Sequence, residues 1–173
     1  GAAKSGGNYA SSLLPTRIAA EQGCAQVLFT DSATEDTIDE LGGMNLFLVR
    51  ADGALLTPQL NGNILDGITR KSLIQLAQDR GLRVEERAVT VTEWREGVAA
   101  GSITQAFPCG TAAVITPIGV LRDESGVIVD FGDAAPGELT LSLREELTGI
   151  QYGTRDDAHG WLDVVVSTEA SAR

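Results

Sequence analysis

The sequence contains only one histidine, His159, and only two cysteines, Cys24 and Cys109. A multi-histidine metal site is therefore excluded, and a Ser-His-Asp triad is disfavoured because this single histidine would have to serve it. Two cysteines are too few for a disulfide framework or a set of zinc ligands, so we interpret both as reduced packing thiols. We expect any proton transfer in this protein to use a different group.

Basic residues are also scarce, since 24 acidic side chains face 13 lysines and arginines and the formal net charge is −11. This charge repels nucleic-acid backbones and anionic membrane surfaces, so the sequence favours small-molecule partners over nucleic acid or membrane. No apolar run approaches the roughly 20 residues of a membrane span, and the first residues do not resemble a signal or transit peptide. We therefore expect a soluble, cytoplasmic protein.

The 173 residues, of which 43% are hydrophobic, are enough for one packed domain. Helical spacing predicts helices over 9–23, 68–81, 90–101 and 137–153. Short apolar segments predict strands over 26–31, 45–50, 54–58, 83–89, 103–121 with a glycine break, and 127–132. Several strands follow one another without an intervening helix, which predicts an α/β domain with mixed or antiparallel pairing. We expect Thr92 to cap the third helix.

The stretch KSGGNY (4–9) places one of only two lysines beside two glycines, an asparagine and a tyrosine. The glycines allow the backbone to approach a ligand closely, and Tyr9 adds a polar group beside Lys4. An ordinary surface lysine is the alternative interpretation. The other lysine, Lys71, falls inside a predicted helix and is expected to be solvent-exposed.

Two turns are candidates for anion binding. In LDGITR (65–70), a glycine leads into a helix whose first N–H groups are unpaired and lie at the positive end of the helix dipole. Its alternative is an ordinary helix cap made by Thr69 or Asp66. In CGTAAV (109–114), small residues and a hydroxyl follow a strand and expose backbone donors. Its alternative is a strand bulge.

The segment TIDELGGMN (37–45) places Glu40 just before a Gly-Gly break, after a short extended stretch. Most such glutamates are solvated loop charges. A carboxylate held beside a lysine-bound heterocycle would instead keep a ring nitrogen protonated. A lysine, two anion-binding turns, a carboxylate and a phenol are together the groups needed to hold pyridoxal phosphate.

Four ordered stretches carry a resemblance to a known family: KSGGNYASSLL, ELGGMNLF, TPQLNGNILDGITR and GTAAVITP. They resemble the large domain of branched-chain amino acid aminotransferases, which are fold-type IV enzymes that use pyridoxal 5'-phosphate. The resemblance runs from Lys4 to about Trp161. It implies an α+β-like arrangement of mixed and antiparallel sheets in a pseudo-barrel with surrounding helices.

The resemblance also implies roles for individual residues. Lys4 is expected to form the Schiff base with the cofactor and to carry the proton in catalysis, Tyr9 to approach the ring oxygen, and Glu40 to face the pyridine nitrogen. The remaining cofactor-binding positions surround the phosphate and are expected at Leu65, Gly67, Ile68, Thr69, Gly110 and Thr111. The backbone of Thr111 and Ala112 is expected to receive the substrate carboxylate.

The implied reaction transfers the amino group of leucine, isoleucine or valine to 2-oxoglutarate, so the partners are amino acids and 2-oxo acids, and the implied assembly is a homodimer. D-amino acid aminotransferases and aminodeoxychorismate lyases share the lysine, the glutamate and the G-I-x-R turn. They generally lack GGNY and GTAA in this form, which favours the branched-chain assignment.

The expected domain organisation is a cofactor-binding large domain over 1–166 and a small polar tail over 167–173. The chain starts at Gly1 and its only methionine is Met44, so we expect it to be a piece of a longer protein. The family's N-terminal small domain is not recognisable in it. The fragment alone is therefore expected to be weakly active or inactive, and a non-catalytic interaction domain is the competing interpretation.

Overall fold

The computed structural model describes residues 3–132, 135–163 and 165. Within them, a 3₁₀-helix over Gly6–Ser12 is followed by four α-helices: α1 (Leu13–Glu21), α2 (Ile68–Asp79), α3 (Val91–Ala99) and α4 (Glu138–Gln151). The nine strands of these residues are β1 (Leu28–Thr30), β2 (Ile38–Leu41), β3 (Asn45–Arg50), β4 (Leu55–Pro58), β5 (Val84–Arg87), β6 (Ile103–Gly110), β7 (Val114–Ile115), β8 (Val120–Asp123) and β9 (Gly126–Asp130).

A five-stranded sheet with the order β5-β4-β3-β6-β7 forms the centre of the fold. Its pairs are antiparallel except for β4 and β5, which are parallel and are connected through α2. β1 pairs with β2, and β8 pairs with β9, in two further antiparallel sheets. The predicted mixed α/β architecture is therefore confirmed.

Both faces of the central sheet are buried, which explains why β3 is apolar almost throughout rather than alternating. On one face, Phe47 and Val49 pack in a cluster with buried residues of α2 and α4. On the other face, Leu46 and Leu48 pack in a second cluster with Trp94 of α3 and residues of the β8–β9 sheet. The two apolar clusters, one on each face of the sheet, thus hold the ends of β3 and β6 in place.

The second predicted helix is confirmed, and Leu73, Leu76 and Ala77, which share one face of it, are buried. The predicted cap at Thr92 is wrong. The N-cap of α3 is Thr90, whose extended backbone lets its side chain accept a hydrogen bond from the Glu93 N–H at 2.9 Å. Thr92 lies inside the helix and donates its own N–H to Asp36.

Two other segments differ locally from the prediction. The chain over 9–12, predicted as helix, belongs to the 3₁₀-helix, and regular α-helix begins only at Leu13. Glu40 lies in a short strand, β2, opposite Phe29 of β1. The predicted tail over 167–173 lies outside the described residues. The part of the chain that the structure describes holds no helix long and apolar enough to cross a bilayer.

Candidate functional site

Lys4 lies two residues before the 3₁₀-helix, next to its N-cap Ser5, and Tyr9 lies within the helix. The Ser12 hydroxyl donates to the Tyr9 carbonyl at 2.8 Å and secures the last turn. The ring of Tyr9 packs near Gly43, whose φ of +82° is tolerated because glycine has no Cβ. Lys4 and Tyr9 are both exposed and face the same hollow.

Glu40 is half-buried in β2 and makes one specific backbone contact. Its Oε1 accepts a hydrogen bond from the Leu65 N–H at 2.6 Å, a bond between residues 25 positions apart. A charge-assisted bond of this kind orients a carboxylate strongly. Glu40 is therefore held by the fold, which contradicts the interpretation that it is a solvated loop charge.

The start of α2 has the glycine turn that the sequence predicts before this helix, and anion binding there stays a prediction. Gly67 is the N-cap residue and makes no side-chain capping bond, so neither Thr69 nor Asp66 caps the helix. Asp66 instead pairs with Lys71, with Oδ2 and Nζ separated by 2.7 Å. The first N–H groups of an uncapped helix lack intrahelical partners and attract anions. Ile68 and Thr69 supply these groups here.

Asn45 contributes to the same turn, and we did not predict its involvement. The residue is 6% exposed, and its Nδ2 donates to the Leu65 carbonyl at 2.8 Å. A Cβ added at Gly67 would fall on the Asn45 Oδ1, so this position accepts only glycine without a shift. The available signal was a polar residue, poor in β-propensity, at the start of an apolar strand.

Within the segment 109–114, residues 111–113 form the turn between β6 and β7, and the segment is not a strand bulge. Thr111 and Ala112 lie exposed at its tip, while Val114 adopts a φ of +53°. Met44 lies close beside Gly110, where an added Cβ would approach it to 3.3 Å. Residues of this turn line the hollow that Lys4 also lines.

Two adjoining cavities bring most of the predicted residues together. A cavity of about 330 Å³ is lined by Lys4, Tyr9, Glu40 and Leu65. A larger hollow of about 1410 Å³ is lined by Lys4 and Tyr9 together with Gly110, Thr111 and Ala112. Neither cavity is lined by Gly67, Ile68 or Thr69. These residues are connected to the site through the hydrogen bonds of Leu65.

The smaller cavity is also lined by residues that sequence reasoning missed. Gln26 lines both cavities, and its side chain occupies the place where a Cβ of Gly42 would lie. Asp39 lines the smaller cavity and accepts a hydrogen bond from the Asn61 side chain at 2.8 Å. These contacts join segments distant in sequence, and a single residue pattern does not reveal them.

Cys109, opposite Asn45 in the β3–β6 pair, is a free thiol. Burial raises the pKa of this thiol to about 12, so it stays protonated at neutral pH and packs as a small apolar side chain. No group of three or more acidic, histidine or cysteine side chains within 3–132, 135–163 and 165 is placed to hold a metal ion. Lys4 lines both cavities.

Residues 2–120 match the family model described as amino-transferase class IV. The branched-chain-amino-acid aminotransferase of Mycolicibacterium smegmatis is 52% identical over 165 residues, which cover 94% of this chain and 45% of the relative. The probable branched-chain-amino-acid aminotransferase of Staphylococcus aureus is 48% identical, with coverage of 95% and 46%.

Solved structures show the same likeness. The branched-chain amino acid aminotransferase of Escherichia coli superposes with a TM-score of 0.80 at 34% identity, covering 96% of this chain and 51% of that one. The branched-chain amino acid aminotransferase of Thermobaculum terrenum in its PLP-form gives a TM-score of 0.71 at 36% identity, with coverage of 88% and 45%. The chain spans about half the length of the relatives it matches.

Proposed function

Because this chain belongs to the amino-transferase class IV family, we propose that it is the cofactor-binding part of a pyridoxal-phosphate-dependent branched-chain aminotransferase. The proposed reaction moves the amino group of leucine, isoleucine or valine to 2-oxoglutarate. The names of the most similar relatives support this substrate class. The observation that carries the proposal is the cavity bounded jointly by Lys4, Tyr9, Glu40 and Leu65.

The residues present fit pyridoxal 5'-phosphate. The cofactor needs an amine, a partner for a ring nitrogen and a site for a dianionic phosphate, and this part of the chain offers all three. Lys4 is the lysine that lines the cavity, since Lys71 is paired with Asp66 on the outside of α2. Gly67 begins α2 without a side-chain cap, so the first N–H groups of that helix remain for a phosphate. When bound, the cofactor supplies an electron sink for the carbanion formed at the substrate α-carbon.

Three side chains around the cavity have separate roles in this proposal. With the cofactor bound, the Lys4 Nζ would hold it and would carry the proton to and from the substrate α-carbon. Glu40 would hold a proton at the ring nitrogen of the bound cofactor, because only one of its carboxylate oxygens is used by the bond to Leu65. The Tyr9 hydroxyl orients the ring through its oxygen.

Backbone groups hold the charged ends of cofactor and substrate. Ile68 and Thr69, shaped by Leu65 and Gly67, donate N–H groups to the phosphate at the start of α2. Gly110 and Thr111 approach the phosphate from the β6–β7 turn. The N–H groups of Thr111 and Ala112 receive the substrate carboxylate at the exposed tip of that turn.

The decisive experiment is a transamination assay of the full-length gene product that carries this chain. L-leucine and D-alanine are compared as amino donors to 2-oxoglutarate, with Lys4→Ala and Lys71→Ala as matched variants. The proposal expects transfer from L-leucine that disappears in Lys4→Ala and persists in Lys71→Ala. Preference for D-alanine would move the assignment to the D-amino acid aminotransferases, and no transfer from either donor would favour a non-catalytic or lyase role.

Assembly as a homodimer and action in the cytoplasm complete the proposal. Support for self-association comes from α1, which has no buried residue and exposes Leu13, Leu14 and Ile18. An apolar face of this kind is usually covered in the working protein. Sedimentation equilibrium measures whether the protein forms a dimer, and cell fractionation measures whether it is found in the cytoplasm.

A further inference from the structure

The Asn45 side chain is a buried polar group whose bond joins two elements of the site. It stands at the first position of β3, where four apolar residues follow it. Because the Leu65 carbonyl can only accept, the Asn45 side chain must present Nδ2 to it, and the two atoms are 2.8 Å apart. Burial to 6% exposure means that losing this bond would leave polar groups without water as a substitute.

The oxygen of the same carboxamide packs against Gly67. The Asn45 Oδ1 occupies the space into which a Cβ of residue 67 would project. Gly67 has an ordinary extended backbone with φ −67° and ψ 137°, so glycine is needed here for contact and not for an unusual conformation. Asn45 therefore touches the residue that immediately precedes the first turn of α2.

Leu65 is fixed through both of its backbone polar groups. Its N–H donates to Glu40, while its carbonyl accepts from Asn45 and, at 2.9 Å, from the Gly67 N–H. These bonds use up the Gly67 N–H and leave Ile68 and Thr69 as the first residues with N–H groups available to an anion. They also set how far these groups lie from the Glu40 carboxylate.

We propose that Asn45 is a positioning residue. It holds the turn over 65–69, to which we assign phosphate binding, at a fixed distance from the Glu40 carboxylate. This inference rests on the proposed function, because it assigns Asn45 a part in binding the phosphate of that cofactor. Asn45 acts through Leu65 and Gly67 and does not itself contact the ligand. Its removal should weaken recognition of the phosphate while leaving recognition of the ring unchanged.

The test compares two probes that differ only in the phosphate: pyridoxamine 5'-phosphate and pyridoxamine. Neither carries the aldehyde, so attachment to Lys4 does not contribute to the measured affinity. Dissociation constants are measured by titration calorimetry or competition for the full-length wild type and for Asn45→Ala. Asn45→Asp, which keeps the shape but as a carboxylate cannot donate to Leu65, serves if the alanine variant does not fold.

Thr57→Val is the matched control. The Thr57 hydroxyl is fully buried and donates to the Leu46 carbonyl at 2.7 Å, so its loss removes the same kind of bond between β4 and β3. It makes no bond to the Leu65 turn. Urea unfolding of both variants shows whether they lose stability to a similar extent.

The expected result is about a tenfold loss of affinity for pyridoxamine 5'-phosphate in Asn45→Ala, which corresponds to about 1.4 kcal/mol. Affinity for pyridoxamine should not change, and Thr57→Val should bind both probes normally. An equal loss for both probes, or no loss for either, overturns the positioning role while the proposed function stands. Wild-type protein that fails to bind pyridoxamine 5'-phosphate overturns the proposed function, and the role of Asn45 with it.

Discussion

The Oε1 atom of Glu40 lies 2.6 Å from the amide nitrogen of Leu65, so a carboxylate of β2 is tied to the loop that leads into α2. One oxygen is used for this bond and the other remains available to a ligand. The bond also fixes where the carboxylate points, because a charged acceptor and an N–H donor interact strongly in a half-buried position. A mutation can therefore remove the charge of Glu40 and still keep the position of its side chain.

Glu40→Gln is expected to lower turnover on the order of 100-fold or more while the fold is retained. The glutamine Oε1 can still accept from Leu65, which places the amide NH₂ toward the ring. An NH₂ group only donates, so it cannot hold a proton on the ring nitrogen. Steady-state kinetics together with circular dichroism of the purified variant provide the measurement.

Glu96→Gln is the control for this change, because it removes the same charge from an exposed position on α3. It should alter turnover less than about twofold and stability by no more than about 0.5 kcal/mol. A Glu40→Gln variant with turnover close to that of Glu96→Gln would show that the Glu40 charge has no part in the reaction.

The two lysines of the chain should differ in their reaction with the cofactor. Reduction with borohydride in the presence of pyridoxal phosphate should leave a stable adduct on Lys4 and none at stoichiometric level on Lys71. Lys4 lines the cavity, whereas the Lys71 Nζ is bound to the Asp66 carboxylate at 2.7 Å. Peptide mapping by mass spectrometry locates the adduct, and a label shared equally by both lysines would exclude a selective site.

Much of the fold could be predicted because its signals are local. Leu73, Leu76 and Ala77 repeat at helical spacing, and the structure buries them on α2. The choice of Thr90 over Thr92 as the cap of α3 could not be made locally, since both are threonines close to the helix start. The extended backbone of Thr90, with φ −111° and ψ 155°, decides it, and that depends on how β5 leads into α3.

The residues of the site also fall into two groups, those that a local sequence pattern reveals and those that it does not. Lys4, Glu40 and Thr111 stand in short stretches whose composition and resemblance to known enzymes made them recognisable. Asn45 stands in such a stretch too, yet its partner is 20 residues away and its contact with Gly67 exists only after β3 and α2 have packed. Residues that act through a neighbour leave no local pattern, so the structure was needed to find them.

Gly67→Ala should cost stability through this contact. The added methyl would overlap the Asn45 Oδ1, and no open space is available to take it, so we expect a loss of about 1–3 kcal/mol in the free energy of unfolding. Urea denaturation measures it. The double variant with Asn45→Ala should lose less than the sum of the two single changes, because the alanine opens room for the methyl.

Gly119→Ala is the control for that experiment. A Cβ at Gly119 would meet no atom within 4 Å, and its φ is not positive. The change should therefore leave the free energy of unfolding within about 0.5 kcal/mol of the wild type. Equal effects at Gly67 and Gly119 would contradict the tight packing between Gly67 and Asn45.

The last prediction concerns pH and the Cys109 thiol. Burial raises its pKa from the ordinary 9.0 to about 12, so between these values the unfolded chain has lost a proton that the folded chain keeps. The unfolded state then binds fewer protons, and the free energy of unfolding falls as pH rises, by at most ~1.4 kcal/mol per pH unit. The contribution of this thiol is fully present below pH 9 and is lost as the pH approaches 12.

Chemical denaturation between about pH 8 and pH 10.5 measures this slope under reducing conditions. Cys109→Ala should show a shallower decline than the wild type, because alanine has no proton to lose, whatever its stability at the lower pH. Cys24→Ser is the comparison for replacing a thiol outside the core, since Cys24 is only half-buried and is not part of either core cluster. Parallel curves for the wild type and Cys109→Ala would show that the buried thiol ionises equally easily in both states, contrary to its place between Asn45 and the apolar core.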